Sequence, residues 1–79
     1  MGPRHISSQN IAIRPPEARA LTIARLDAGA TLAQVAERAG YTPTLICFYE
    51  RGFIHRAPPS AYNRIMEAIS ELAAEREAS

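Results

Sequence analysis

The chain is poor in several things, and each shortage removes a class of protein. Its single cysteine, Cys47, has no partner for an internal disulfide, so nothing points to an oxidising compartment. No run of about 18 apolar residues is present to build a membrane span, and no charged-then-apolar leader opens the chain. Met1-Gly2 would suit a myristoylation signal, but Ile6 stands where Ser or Thr is needed. Catalytic groupings are missing too: there is no Gly-rich phosphate loop, no nucleophile beside a base and no carboxylate pair set in a polar pocket. His5 and His55 lie far apart, without metal-ligand spacing. The expectation is a soluble cytoplasmic protein that is not an enzyme, with no cofactor, no metal, no membrane partner and no evident small-molecule ligand. Lysine is also absent.

What the chain does contain is arginine. All nine basic residues are Arg, and their distribution is uneven. Residues 1–64 hold eight Arg against four acids, net +4, while residues 65–79 hold Arg76 against Glu67, Glu71, Glu75 and Glu77, net −3. Arg forks onto phosphate oxygens and guanine edges, so a basic front and an acidic tail suit a nucleic-acid face with a separate association face. The same distribution also fits plain solvated surface charge. At 79 residues the chain makes one domain with a modest core, a size at which oligomerisation or a ligand often adds stability.

Residues 1–16 show no helical period. Ile11 and Ile13 alternate with Ala12 and Arg14, a weak strand pattern, so 1–16 reads as an extended N-terminal arm and 17–79 as the folded domain. Pro15-Pro16-Glu17 starts a helix expected over 17–28, with Leu21, Arg25 and Ala28 on one face and Gly29 as its stop. Thr31 caps a second helix over 32–39, with Leu32, Val35, Ala36 and Ala39 inward and Gly40 ending it. Thr42 and Pro43 open a third that runs to about Arg51, with Gly52 as its stop. Residues 53–59 read as a loop, and Ser60 as the cap of a fourth helix over 60–76 with Ile65, Ile69, Leu72 and Arg76 on one side. Glu67, Glu71 and Glu75 recur on it at i, i+4, which reads as a solvated face.

The second and third helices flank a Gly-containing turn of a few residues, the signature of a helix-turn-helix. With Ala28-Gly29-Ala30-Thr31, Val35-Ala36, Ala39-Gly40, Thr42, Ile46, Glu50-Arg51-Gly52 and a Pro-started fourth helix, the chain resembles the Cro/repressor-type (Xre-like) helix-turn-helix family from residue 17 to about residue 72. The resemblance implies an all-α, lambda-repressor-like domain of four main helices that binds specific double-stranded DNA. It also implies a structural ion pair between Arg25, late in the first helix, and Glu50, at the end of the third. Residues 31–54 are similar to the start of a MerR-type winged helix as well, but a full helix precedes them here and a Pro-Pro-started helix stands where the wing should follow. The chain differs from the Cro/repressor pattern at Leu32, where relatives often carry Gln, and at Pro43, Thr44 and Phe48, where polar readers are usual.

With Ile46 and Glu50 inward, the candidate base readers are Thr42, Pro43, Thr44, Cys47 and Phe48. Apolar and Thr side chains can contact the thymine methyl group in the major groove. Phosphate or flanking contacts fall to Thr31, Arg51, His55, Arg56 and Ser60. Phe48 has two readings, base reader or packed core, whereas Tyr49 reads as core. The expected role is a transcriptional repressor or autoregulator that acts by occupying an operator. The competing role is a protein-interaction module, antitoxin-like or an accessory subunit, gripping a partner through the apolar face of the third helix. One such helix reads few base pairs, so a homodimer on two half-sites is expected. Ile65, Ile69 and Leu72 would build it, with Ile11 and Ile13 pairing as a strand between chains. The alternative for the arm is insertion of Arg4 or Arg14 into the minor groove.

Overall fold

The computed structural model describes residues 10–78. Strand β1 (Ile11–Ala12) leads into helices α1 (Pro15–Asp27), α2 (Leu32–Ala39) and α3 (Pro43–Glu50), followed by strand β2 (Arg56–Ala57) and the long helix α4 (Pro59–Ala78). The domain is all-α with four helices. Among the described residues its one addition is a minimal antiparallel ribbon in which Ile11 faces Ala57 and Ala12 faces Arg56. Arg4 and His5 lie outside the described residues.

Proline, threonine and glycine set the helix boundaries. α1 starts at Pro15, two residues before the expected position, because Pro15 and Pro16 both fit a first turn whose N–H groups have no intrahelical acceptor. Glu17 accepts a hydrogen bond from the Arg14 N–H at 3.0 Å. Beyond α1, Gly29 takes the left-handed conformation at φ +68° and ends it. α2 opens with a capping box: Thr31 Oγ1 accepts from the Gln34 N–H at 3.0 Å, and Gln34 Oε1 accepts from the Thr31 N–H at 2.9 Å. Gly40, at φ +87°, turns the chain into Thr42, whose hydroxyl accepts from the Leu45 N–H at 3.2 Å and caps α3. α4 begins at Pro59, so Ser60 lies inside its first turn and is not the cap.

Leu21, Val35, Ile46 and Ile65, one from each helix, are the largest fully buried side chains. α1 and α2 each pack on both α3 and α4, and Ala36 is small enough to let the crossing close. Ile13, Ile65 and Ile69 belong to this core, with exposures of 3 %, 0 % and 3 %. They are therefore not available as a dimer surface. Three short helices leave a trough, and α4 closes it with the very stripe that could otherwise have faced a second chain. Leu72 is half-buried against the same core. The described end of the arm, from residue 10 on, folds back in the same way: the Ile13 N–H donates to the His55 carbonyl at 2.8 Å, and β1 pairs with β2 inside the stretch expected to be loop. Tyr62 fastens α4 to the first turn of α1, its hydroxyl donating to the Glu17 carbonyl at 2.9 Å.

Candidate functional site

α3 presents one face outward. Thr44, Cys47, Phe48 and Arg51 fall at i, i+3, i+4 and i+7, opposite the buried Ile46 and Tyr49. Thr42, Pro43, Thr44, Phe48 and Arg51 are exposed, and Cys47 is half-buried. Burial pushes the Tyr49 phenol above its ordinary range, with Tyr41 adding to the effect. Phe48 is 41 % exposed and stacks at a tilt on Phe53, itself 62 % exposed, with ring centroids 5.5 Å apart. Phe48 is thus no part of the central core. The two rings form an apolar edge to the outward face of α3.

The orientation of α3 is fixed from below by Arg25. Its Nε donates to Glu50 Oε2 at 2.7 Å, its Nη2 to Glu50 Oε1 at 3.0 Å, and its Nη1 to the Ala30 carbonyl at 3.1 Å. The two side chains are only 15 % and 8 % exposed. Hydrogen bonding to Glu50 raises the Arg25 pKa above its ordinary value, outweighing the desolvation that lowers it. One guanidinium therefore ties together α1, the α1–α2 turn and the last residue of α3.

A second network sorts the remaining arginines. Arg38 pairs with Glu71 at 3.3 Å and Glu75 at 2.6 Å; Arg64 pairs with Glu67 at 2.8 Å and Glu71 at 3.3 Å. Arg64 also donates to the Arg38 carbonyl at 2.6 Å. The glutamates of α4 are thus more than a solvated face: they pin the end of α2 to α4. Desolvation pushes the Glu71 carboxyl up, but hydrogen bonds from Arg64 and Arg38 prevail and hold it below its ordinary value. Arg38 and Arg64 are thereby engaged on the α4 side. Arg14, Arg19, Arg51 and Arg56 are the exposed arginines left between residues 10 and 64. Arg14 makes only a loose 4.0 Å pair with Glu17, and Arg56 holds the Asn10 carbonyl at 2.8 Å.

The other predicted contacts spread around the α3 face. Thr31 is exposed at the start of α2, His55 and Arg56 are exposed in the ribbon, and Ser60 is exposed in the first turn of α4. Ile11, at 37 % exposure, is exposed on the ribbon, as are Ala12 and Arg56. Sequence reasoning passed over Arg19. It lines, with Thr22, one wall of a groove of about 420 Å³ whose other wall is Glu50 and Arg51. No local pattern marks Arg19, because the groove exists only once α1 lies against the end of α3. Among the described residues no group of His, Cys, Asp and Glu is arranged to hold a metal ion, and no helix is long and apolar enough to cross a membrane.

A family model described as a helix-turn-helix domain matches residues 18–78. Neither the curated proteins nor the solved structures include a significant match to the chain.

Proposed function

Because the chain belongs to the helix-turn-helix domain family, we propose that it binds a specific sequence in double-stranded DNA and represses transcription by occupying that site. The observation that carries the reading is the outward face of α3. Thr44 and Phe48 are exposed, with Cys47 half-buried beside them and Arg51 exposed at the C-cap, on a helix whose orientation is locked by Arg25 and Glu50. In a major groove, Thr44 and Phe48 would contact thymine methyl groups, and Arg51 would reach phosphate or a base edge beyond them. Thr42 and Pro43 would sit at the entering end, with Thr31, His55, Arg56 and Ser60 flanking. The low count of polar readers suits a T-rich site. A homodimer on half-sites about 34 Å apart would supply the missing specificity. Its interface would lie outside Ile65 and Ile69, which are buried. Ile11 remains partly exposed, as do Ile23 and Leu26 on α1.

Selection of bound duplexes from a random pool tests this, with the salt dependence measured on the winner. The expected result is one enriched sequence whose affinity falls steeply with salt. A second reading is favoured by the exposed Phe48–Phe53 pair: docking of a partner protein on the same face. That reading predicts no enriched duplex and a partner affinity that changes little with salt.

A further inference from the structure

The groove between α1 and the end of α3 carries an inference that rests on the DNA-binding reading and extends it. Arg19 and Thr22 line one wall, Glu50 and Arg51 the other. Glu50 is the one carboxylate on these walls, and Arg25 holds both of its oxygens. Its charge is already balanced from beneath. Arg19 and Arg51 are exposed, and among the described residues no acid or acceptor engages either guanidinium. Two unmatched positive groups and a hydroxyl therefore border a concave site that, among the described residues, has no unmatched negative group. The charge belongs to these side chains and not to the start of α1, where Pro15 and Pro16 carry no N–H to donate.

The position of the groove indicates which anion it takes. Arg51 lies on the α3 face that also carries Thr44 and Phe48, so the groove adjoins the end of that face. A helix laid in the major groove brings its ends against the sugar-phosphate strands that border the bases it reads. A guanidinium forks onto a phosphate with two parallel hydrogen bonds. We propose that this groove seats the DNA backbone beside the bases read by α3, with Arg19 contacting phosphate from α1 opposite Arg51.

The test uses the full chain, the duplex selected above and the variants Arg19→Gln and Arg19→Lys. Loss of a charge-assisted contact in Arg19→Gln weakens binding to selected and unrelated duplexes alike, roughly tenfold. It also lowers the slope of log affinity against log salt by about one, while the preferred sequence stays the same. Arg19→Lys keeps the charge and restores the slope. Because the Arg19 side chain has no partner among the described residues, the Arg19→Gln melting curve matches the wild type. Wild-type affinity and slope in Arg19→Gln overturn the proposal. So does a loss that Arg19→Lys fails to repair, or a changed sequence preference, which would make Arg19 a base reader. A wild-type chain that binds no duplex overturns the DNA-binding reading along with the groove. A wild type that binds, beside an unaltered Arg19→Gln, overturns the groove alone.

Discussion

Substituting Glu50 by alanine removes two of the three hydrogen bonds that the Arg25 guanidinium makes, leaving only the one to the Ala30 carbonyl. Arg25 is 15 % exposed, so water replaces the lost carboxylate only in part. Removing one partner of a buried ion pair costs ~3–5 kcal/mol. The groove that borders Glu50 gives water a route to the vacated space, which puts the cost near the lower end, about 3 kcal/mol. Each kcal/mol lowers the melting temperature of a domain this size by about 4–8 °C, so Glu50→Ala should melt roughly 12–24 °C below the wild type. Far-UV circular dichroism at neutral pH measures it. The double variant Arg25→Met, Glu50→Leu should recover most of the loss, since well-packed apolar residues often replace a buried ion pair without penalty. A drop under about 4 °C for Glu50→Ala would refute the reasoning, because it would equal the loss of no more than about 1 kcal/mol. So would a double variant that melts no higher than the single one.

Three further outcomes follow from the same geometry. The Glu71 carboxyl is held below its ordinary value of 4.5, so its contribution is complete above that pH and is lost as the pH falls through the depressed value. Glu71→Gln should therefore lower the melting temperature at neutral pH and flatten its decline in acid; an unchanged acid limb would remove Glu71 from the network that joins α2 to α4. Gly29→Ala and Gly40→Ala both force a left-handed residue, at a cost of about 1–2 kcal/mol each. At Gly29 the new methyl group meets only the far end of the flexible Arg76 side chain, which can swing aside, and at Gly40 it meets nothing, so chemical denaturation should find the two variants destabilised to a similar extent. Phe48→Ala should alter the preferred duplex at ~1–3 kcal/mol per lost contact while leaving the melting temperature nearly unchanged. An unaltered preference with a large fall in melting temperature would make Phe48 a structural residue.

The helices were legible in the sequence because their punctuation is local. Pro15, Thr31, Gly40, Thr42 and Pro43 each act within a turn or two of their own position. Glu50 was legible for a different reason: its pairing with Arg25 spans 25 positions and came from the family resemblance, not from spacing. The stripe Ile65, Ile69 and Leu72 was legible as apolar, but not its destination. Periodicity marks a face and is silent on whether that face meets its own chain or a second one. The pairing of Glu71 with Arg38 was hidden for the same reason, since Arg38 lies 33 positions away. The β1–β2 ribbon was half visible. Alternation marked residues 11–14, whereas a two-residue strand such as Arg56–Ala57 is too short to carry a period.

That ribbon has a consequence for the order in which the domain assembles. Arg56 holds the Asn10 carbonyl across 46 positions of chain, whereas α2 and α3 meet across a turn of three residues. Loop-closure entropy rises with the logarithm of the segment closed, and contacts between distant positions are made slowly. The α2–α3 pair is thus the natural early nucleus, and the ribbon, with only two residues in each strand, is the last seam to close. A growing polypeptide has to deliver Ala57 before Ile11 finds its neighbour, so during synthesis the pair that carries the outward α3 face takes shape while the two ends of the ribbon are still apart. By the same reasoning the seam should be the first to part on unfolding, exposing Ile13 before the crossing at Ala36 is disturbed.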